Sequence, residues 1–148
     1  IMKDTIRQPF LTDYSLRKAI KKVVCIVEIP DLNFQSVDAI QLVDLISINA
    51  GQKALVIGEA LPAQYMNDPF ELELIYNGKR IYLETMDGLL DREIDTLNWM
   101  ITHLLSLGWV IRPNHLLITG SLTGLTPLKS GRYVVNYDDY SSIVLDFK

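Results

Sequence analysis

The sequence predicts an α+β domain, and three observations carry that prediction. Several short runs are rich in β-branched residues or alternate apolar with polar side chains at strand length. Other segments repeat apolar residues at helical spacing. Between two alternating runs stands Asn77-Gly78, the strongest short signal for a hairpin. Strands dominate, with two or three helices packed on them, and no linker, repeat or low-complexity tract divides residues 1–148. One domain is expected, since 148 residues can bury a sizeable core.

The elements follow in chain order. Residues 12–22, "TDYSLRKAIKK", read as a helix: Thr12 can cap, Asp13 suits the first turn, and lysines gather at the end. "VVCIVEI" (23–29) is too uniformly apolar for a half-exposed strand and is placed in the interior, with Pro30 ending it. "SVDAIQLVDLISIN" (36–49) has helical period, with Val37, Ile40, Leu42, Val43 and Ile46 mostly on one side. "KALVIGE" (53–59) reads as a second buried strand closed by Gly58. "FELELIYNGKRIYLETM" (70–86) is the hairpin. "REIDTLNWMITHLLSLG" (92–108) is an amphipathic helix, with Ile94, Leu97, Trp99, Ile101, Leu104, Leu105 and Leu107 toward its apolar side and Gly108 as its cap. Residues 114–148 alternate like two or three strands around a loop of small residues, "TGSLTGLTPLKSG".

Composition narrows the function classes. The chain is 49% hydrophobic and 22% charged, the balance of an ordinary globular protein. Its formal net charge of −4 argues against a nucleic-acid surface, which would need clustered Lys and Arg. The short basic pairs, Arg17-Lys18 and Lys21-Lys22, are explained most simply by a solvated helix face. Cys25 stands alone inside a β-branched run, so no internal disulfide is possible and a cytoplasmic, reducing setting is expected. No stretch approaches the roughly 18 apolar residues of a membrane span, and no signal-peptide pattern opens the chain. Residue 1 is Ile rather than an initiator methionine, which fits a fragment, a processed product or the remainder of a tag.

Candidate chemistry is sparse. Glu71 and Glu73 share a strand face and could together suit a hard divalent cation, yet alternation explains them as water-facing partners of an inward Leu72 and Leu74. Glu28 is embedded in "VVCIVEIP", where burial without a partner would be costly, so it must reach a cation, a hydrogen-bond network or solvent. His103 and His115 lack metal-ligand spacing. Ser121, Ser141 and Ser142 lack the setting of a hydrolase nucleophile, and no glycine loop cradles phosphate.

Taken together, several segments resemble one family. "QLVDLISINAGQKALVIG" (41–58) is similar to the Q-F-V-D-x-x-A-D-N-A-S…V-I-G run of the 2-keto-4-pentenoate hydratases, relatives of the 4-oxalocrotonate decarboxylases within the fumarylacetoacetate hydrolase superfamily. "HLLITGSLTGLTPLKSGRYVVNY" (115–137) resembles the family's L-T-G-S-L…P-V-x-x-G-D segment. "YSSIVLDF" (140–147), "LNWMITHLLSLG" (97–108) and "CIVEIPD" (25–31) resemble three further family segments in the same order. The resemblance implies a mixed β-roll or barrel with flanking helices. It also implies chemistry on short 2-keto acids assisted by Mg²⁺ or Mn²⁺ acting as a Lewis acid, in a protein that assembles with copies of itself.

Carried over residue by residue, the resemblance makes Glu28 a metal ligand and puts Thr119, Gly120 and Ser121 at the rim of the substrate pocket. Asp44 and Asn49 fall on matching positions of the D-x-x-x-D-N run, so Asn49 joins the substrate-binding set. The departures are equally specific. Ile48 stands where the family has Asp, and Gly51 where it has Ser. The family's E-x-E ligand pair should lie shortly before the 12–22 helix, where only "IMKDTIRQPFL" stands. The family segment that supplies a catalytic lysine and a lid also has no counterpart in these residues. The sequence thus predicts a hydratase-like protein with an incomplete metal site, or else a catalytically silent member acting through association.

Overall fold

A computed structural model describes residues 1–10, 12–31, 40–61 and 67–148. Its elements are α1 (Asp13–Ala19), β1 (Val23–Pro30), α2 (Leu42–Ser47), β2 (Gln52–Leu61), β3 (Phe70–Tyr76), β4 (Lys79–Met86), α3 (Leu89–Ser106), β5 (Gly131–Tyr137) and β6 (Ser141–Phe147). A single 3₁₀ turn, Asn49–Gly51, joins α2 to β2. The α+β class predicted from sequence stands, with three α-helices among the described residues.

Two antiparallel sheets form. β1 pairs with β2, and a four-stranded sheet runs in the order β4-β3-β5-β6. The β3–β4 hairpin turns through Asn77 (φ 48°) and Gly78 (φ 79°), the double positive-φ geometry that twists with the flanking strands. α1 begins where Thr12 Oγ1 accepts the amide of Ser15 at 3.2 Å, satisfying one orphan donor.

Two cores hold the chain. In the first, Leu16 and Ala19 of α1 meet Ile94, Leu97 and Ile101 of α3, with Met2, Ile6 and Ile111 closing the sides. The residues before α1 reach this core as an extended segment: Met2 bridges Ile20, and Ile6 bridges Ile111. In the second, Cys25 and Leu61 of the small sheet face Phe70, Leu72, Met86, Tyr137 and Ile143 of the large one.

Several sequence expectations are corrected here. β1 is not an interior strand: Cys25 is its one fully buried residue, Glu28 is exposed and the others are half-buried. β2 does not close at Gly58 but runs on to Leu61. Gly58 is instead a point of close approach, where an added Cβ would lie 2.8 Å from Ser141 Oγ and 2.9 Å from the Ile143 side chain. The predicted 36–49 helix is seen only as Leu42–Ser47; Val37 and the other residues of 36–39 lie outside the described residues. On α3, Trp99 and Leu107 are exposed, at 67% and 61%. Ile94, Leu97 and Ile101 repeat at intervals of three and four, and Trp99, two residues from each of the latter pair, falls on the opposite side. Gly108 (φ 82°) sits one residue beyond the cap, Leu107. The run 115–118 forms no strand, so β5 and β6 follow the small-residue loop with none before it.

Candidate metal and substrate site

Glu28 is placed by alternation along β1. Cys25 and Val27 pack into the second core, so Ile26 and Glu28 face the other way. Their partners on β2 are Ile57 and Leu55, which puts the Glu28 carboxylate on the outer face of the small sheet amid aliphatic side chains. Glu28 is exposed, and among the described residues its carboxylate has no hydrogen-bond or ion-pair partner. Of the three ways to avoid an unpaired buried charge, the fold takes the third, solvent.

Asn49 lies at the same end of the small sheet. The turn Asn49–Gly51 delivers the chain into β2, Gln52 pairs with Pro30, and the Asp31 amide donates to the Gly51 carbonyl at 2.7 Å. Asn49 (φ 52°) and Ala50 (φ 53°) both hold left-handed backbone, which Asn tolerates better than Ala. Asn49 is exposed, and its Nδ2 reaches Gln52 Oε1 at 3.5 Å. Asp44 has a local task instead: its Oδ2 accepts the Gln41 amide at 2.9 Å and caps α2.

The loop Thr119-Gly120-Ser121 crosses from one core to the other, since Leu117 packs on the first and Leu122 on the second. Gly120 (φ 139°) supplies a backbone position that other residues rarely adopt. Ser121 Oγ donates to the Thr123 carbonyl at 2.7 Å and accepts its amide at 3.3 Å, a closed local turn. Thr119 is half-buried, while Gly120 and Ser121 are exposed. Thus Glu28 and Asn49 share one end of the small sheet, while the Ser121 hydroxyl of the loop is turned to its own backbone.

The remaining candidates have structural employment. Glu73 accepts from Asn136 Nδ2 at 2.8 Å and lies 3.6 Å from Arg80, while Asn136 Oδ1 accepts from Ser142 Oγ at 2.8 Å. This polar row across β4, β3, β5 and β6 was not legible in sequence, because cross-strand register decides it. His103 stacks on Trp99 with ring centres 5.4 Å apart, and His115 Nδ1 accepts the Arg112 amide at 3.3 Å. Cys25 is buried, and burial pushes its thiol up to about 11 against a smaller opposing effect of its hydrogen bond with Ser141. Burial, with the neighbouring Cys25, pushes the Tyr137 phenol up to about 12, and the phenol donates a hydrogen bond to the Ile26 carbonyl. A thiol held neutral in this way is a core residue rather than a nucleophile.

The ion implied by the resemblance can now be tested against these donors. Mg²⁺ demands a near-octahedral set of oxygens and is commonly held by one or two carboxylates plus substrate and water. Glu28 offers one carboxylate, and among the described residues no three His, Cys, Asp or Glu side chains gather into a group. The described residues on their own do not fit the ion.

The fold, two antiparallel sheets with α1 and α3 packed beside them, is shared with a solved decarboxylase structure. The chain superposes on 4-oxalocrotonate decarboxylase from Pseudomonas putida G7, complexed with magnesium and adipate, with a TM-score of 0.82 and 17% identity. It does so on the complex with calcium and acetate with a TM-score of 0.78 and the same 17% identity. The match covers 100% and 99% of this chain but only 57% and 56% of the decarboxylase, so the chain spans little more than half of that protein's length. No family model and no curated protein matches the sequence. Among the described residues no helix is long and apolar enough to cross a membrane.

Proposed function

We propose that this chain is the C-terminal, fold-bearing part of a hydratase-like protein of the 2-keto-4-pentenoate hydratase family, acting on short 2-keto or 2-hydroxydienoic acids. The observation that carries the reading is the superposition over the whole chain at a TM-score of 0.82. The ordered series of resembling segments supports it independently, since overall likeness at 17% identity speaks for the fold alone. In this reading Glu28 provides one carboxylate, Asn49 and the Thr119–Ser121 loop border the substrate, and the other ligands come from residues outside this chain. The roll or barrel closure implied by the resemblance belongs to the same proposal. So does metal use: the solved decarboxylase was complexed with magnesium or calcium, whereas the described residues do not complete such a centre.

A second reading has its own support. Every residue of α2 escapes full burial, and Leu42 and Ile46 stand 74% and 70% exposed. A helix that fully buries none of its apolar residues gains little from packing, as befits a catalytically silent member that acts through assembly. One comparison separates the two. The protein expressed from its own gene, its intact mass recorded, is assayed beside this chain for Mg²⁺-dependent turnover of a 2-hydroxy-2,4-dienoate. The hydratase reading expects turnover by the gene product, loss of about 100-fold or more in Glu28→Gln, and near-background rates from this chain. A gene product without metal-dependent turnover leaves the silent reading standing and sinks the first.

A further inference from the structure

Arg17, Lys21 and Lys22, three of the basic residues near the start of the chain, gather about one cavity. A cavity of about 210 Å³ opens where the end of α1, the start of β1, the end of β2 and the first turn of α3 meet. Its inner wall is apolar: Ile20, Val23, Leu61 and Leu90, with Leu61 buried and the others half-buried. Its mouth is cationic, formed by Arg17, Lys21 and Lys22.

The charges at that mouth do not cancel. Arg17 is paired with Asp91, whose Oδ1 also accepts from Asn67 Nδ2 at 3.2 Å. Lys21 Nζ donates to Asn114 Oδ1 at 2.8 Å, a neutral acceptor that leaves its charge in place. The Lys22 ammonium has no partner among the described residues. Two lysines that line an apolar cavity therefore have no carboxylate partner among the described residues.

Size and polarity together define the ligand. A dry cavity of roughly 150 Å³ accommodates benzene, so this one takes a body of about the same size with a polar head at the entrance. A bare phosphate would satisfy the ammonium groups and leave the hydrocarbon wall wet. A neutral hydrocarbon would fill the wall and leave the charges unmatched. A short-chain monocarboxylate does both, its head at Lys21 and Lys22 and its tail against Leu61 and Leu90. Val23 lies five residues before Glu28 on β1, about 16 Å along the strand, so this cavity is remote from the proposed keto-acid site.

We propose that this cavity is a binding site for short-chain monocarboxylates, independent of Glu28. The test is a series of amide chemical-shift titrations of the chain with hexanoate, hexan-1-ol and inorganic phosphate. The expected result is saturable hexanoate shifts centred on Lys22, Val23, Leu61 and Leu90, with hexan-1-ol at least about tenfold weaker and phosphate not saturating. The double variant Lys21→Gln/Lys22→Gln, whose changes lie on exposed side chains, should weaken hexanoate about tenfold and leave hexan-1-ol unchanged. An unshifted remainder of its spectrum verifies the fold. Absence of saturable hexanoate shifts, hexan-1-ol binding as tightly as hexanoate, or phosphate matching hexanoate would each overturn the assignment.

Discussion

The amide of Glu59 on β2 donates to Ser141 Oγ on β6 at 3.1 Å, joining residues 82 apart in sequence and tying the small sheet to the large one. Directly beside this bond, Gly58 has no room for a side chain, because Ser141 Oγ and Ile143 would stand within 2.9 Å of its Cβ. Gly58→Ala should therefore destabilise by about 1–3 kcal/mol through overpacking. Ser141→Ala, which strands a partly buried amide, should cost about 1 kcal/mol. Urea unfolding followed by circular dichroism measures both, and a neutral Gly58→Ala would mean that the two sheets do not meet there.

Two glycines with positive φ should differ in their tolerance of substitution. Gly78 (φ 79°) has open space around it, whereas a Cβ on Gly131 (φ 142°) would meet Tyr76 at 2.7 Å and Asn77 Oδ1 at 2.8 Å. Gly78→Ala should cost about 1 kcal/mol from backbone strain alone. Gly131→Ala adds a steric clash and should cost about 2 kcal/mol or more. Thermal melts of the two variants test the order, and equal melting temperatures would contradict it.

The second core also makes a prediction about pH. Burial raises Cys25 from 9.0 to about 11 and Tyr137 from 10.0 to about 12 in the folded state. Above pH 9 the unfolded chain therefore releases these protons before the folded one does, and stability falls as pH rises. The urea midpoint should be flat through neutrality and decline from about pH 9 toward 12. Removing both groups, as Cys25→Ala/Tyr137→Phe, should flatten that decline, and an unchanged slope would refute the assignment.

Much of this architecture was legible in the sequence, and what was missed shares a cause. Asn77-Gly78 fixed its hairpin because two adjacent left-handed positions admit few residue types. Ile94, Leu97 and Ile101 were readable because helical period is local. Gly58 was misread as a strand end, since its smallness answers to Ser141 and Ile143, more than 80 residues away. β1 was misplaced in the interior because an apolar run does not tell whether its second face is covered. For the site, the exposure of Glu28 was among the outcomes foreseen, while the polar row of Arg80, Glu73, Asn136 and Ser142 needed the register of four strands.

The exposed apolar residues of α2 predict self-association. Leu42 is 74% exposed, Ile46 70% and Val43 61%, on a helix with no fully buried residue. Sedimentation velocity should find a dimer or larger species that weakens as concentration falls. Leu42→Asp/Ile46→Asp should shift it toward monomer with little change in stability, since neither side chain is buried. A wild-type chain that stays monomeric at high concentration would remove α2 as an interface.

The most direct test of the whole proposal is a calorimetric titration of this chain with Mg²⁺ and with Mn²⁺, in wild type and Glu28→Gln. A fold that carries Glu28 as a lone ligand predicts no binding tighter than about 1 mM and no difference between the two proteins. One-to-one binding in the micromolar range, abolished by Glu28→Gln, would contradict it and show a complete metal centre within these residues.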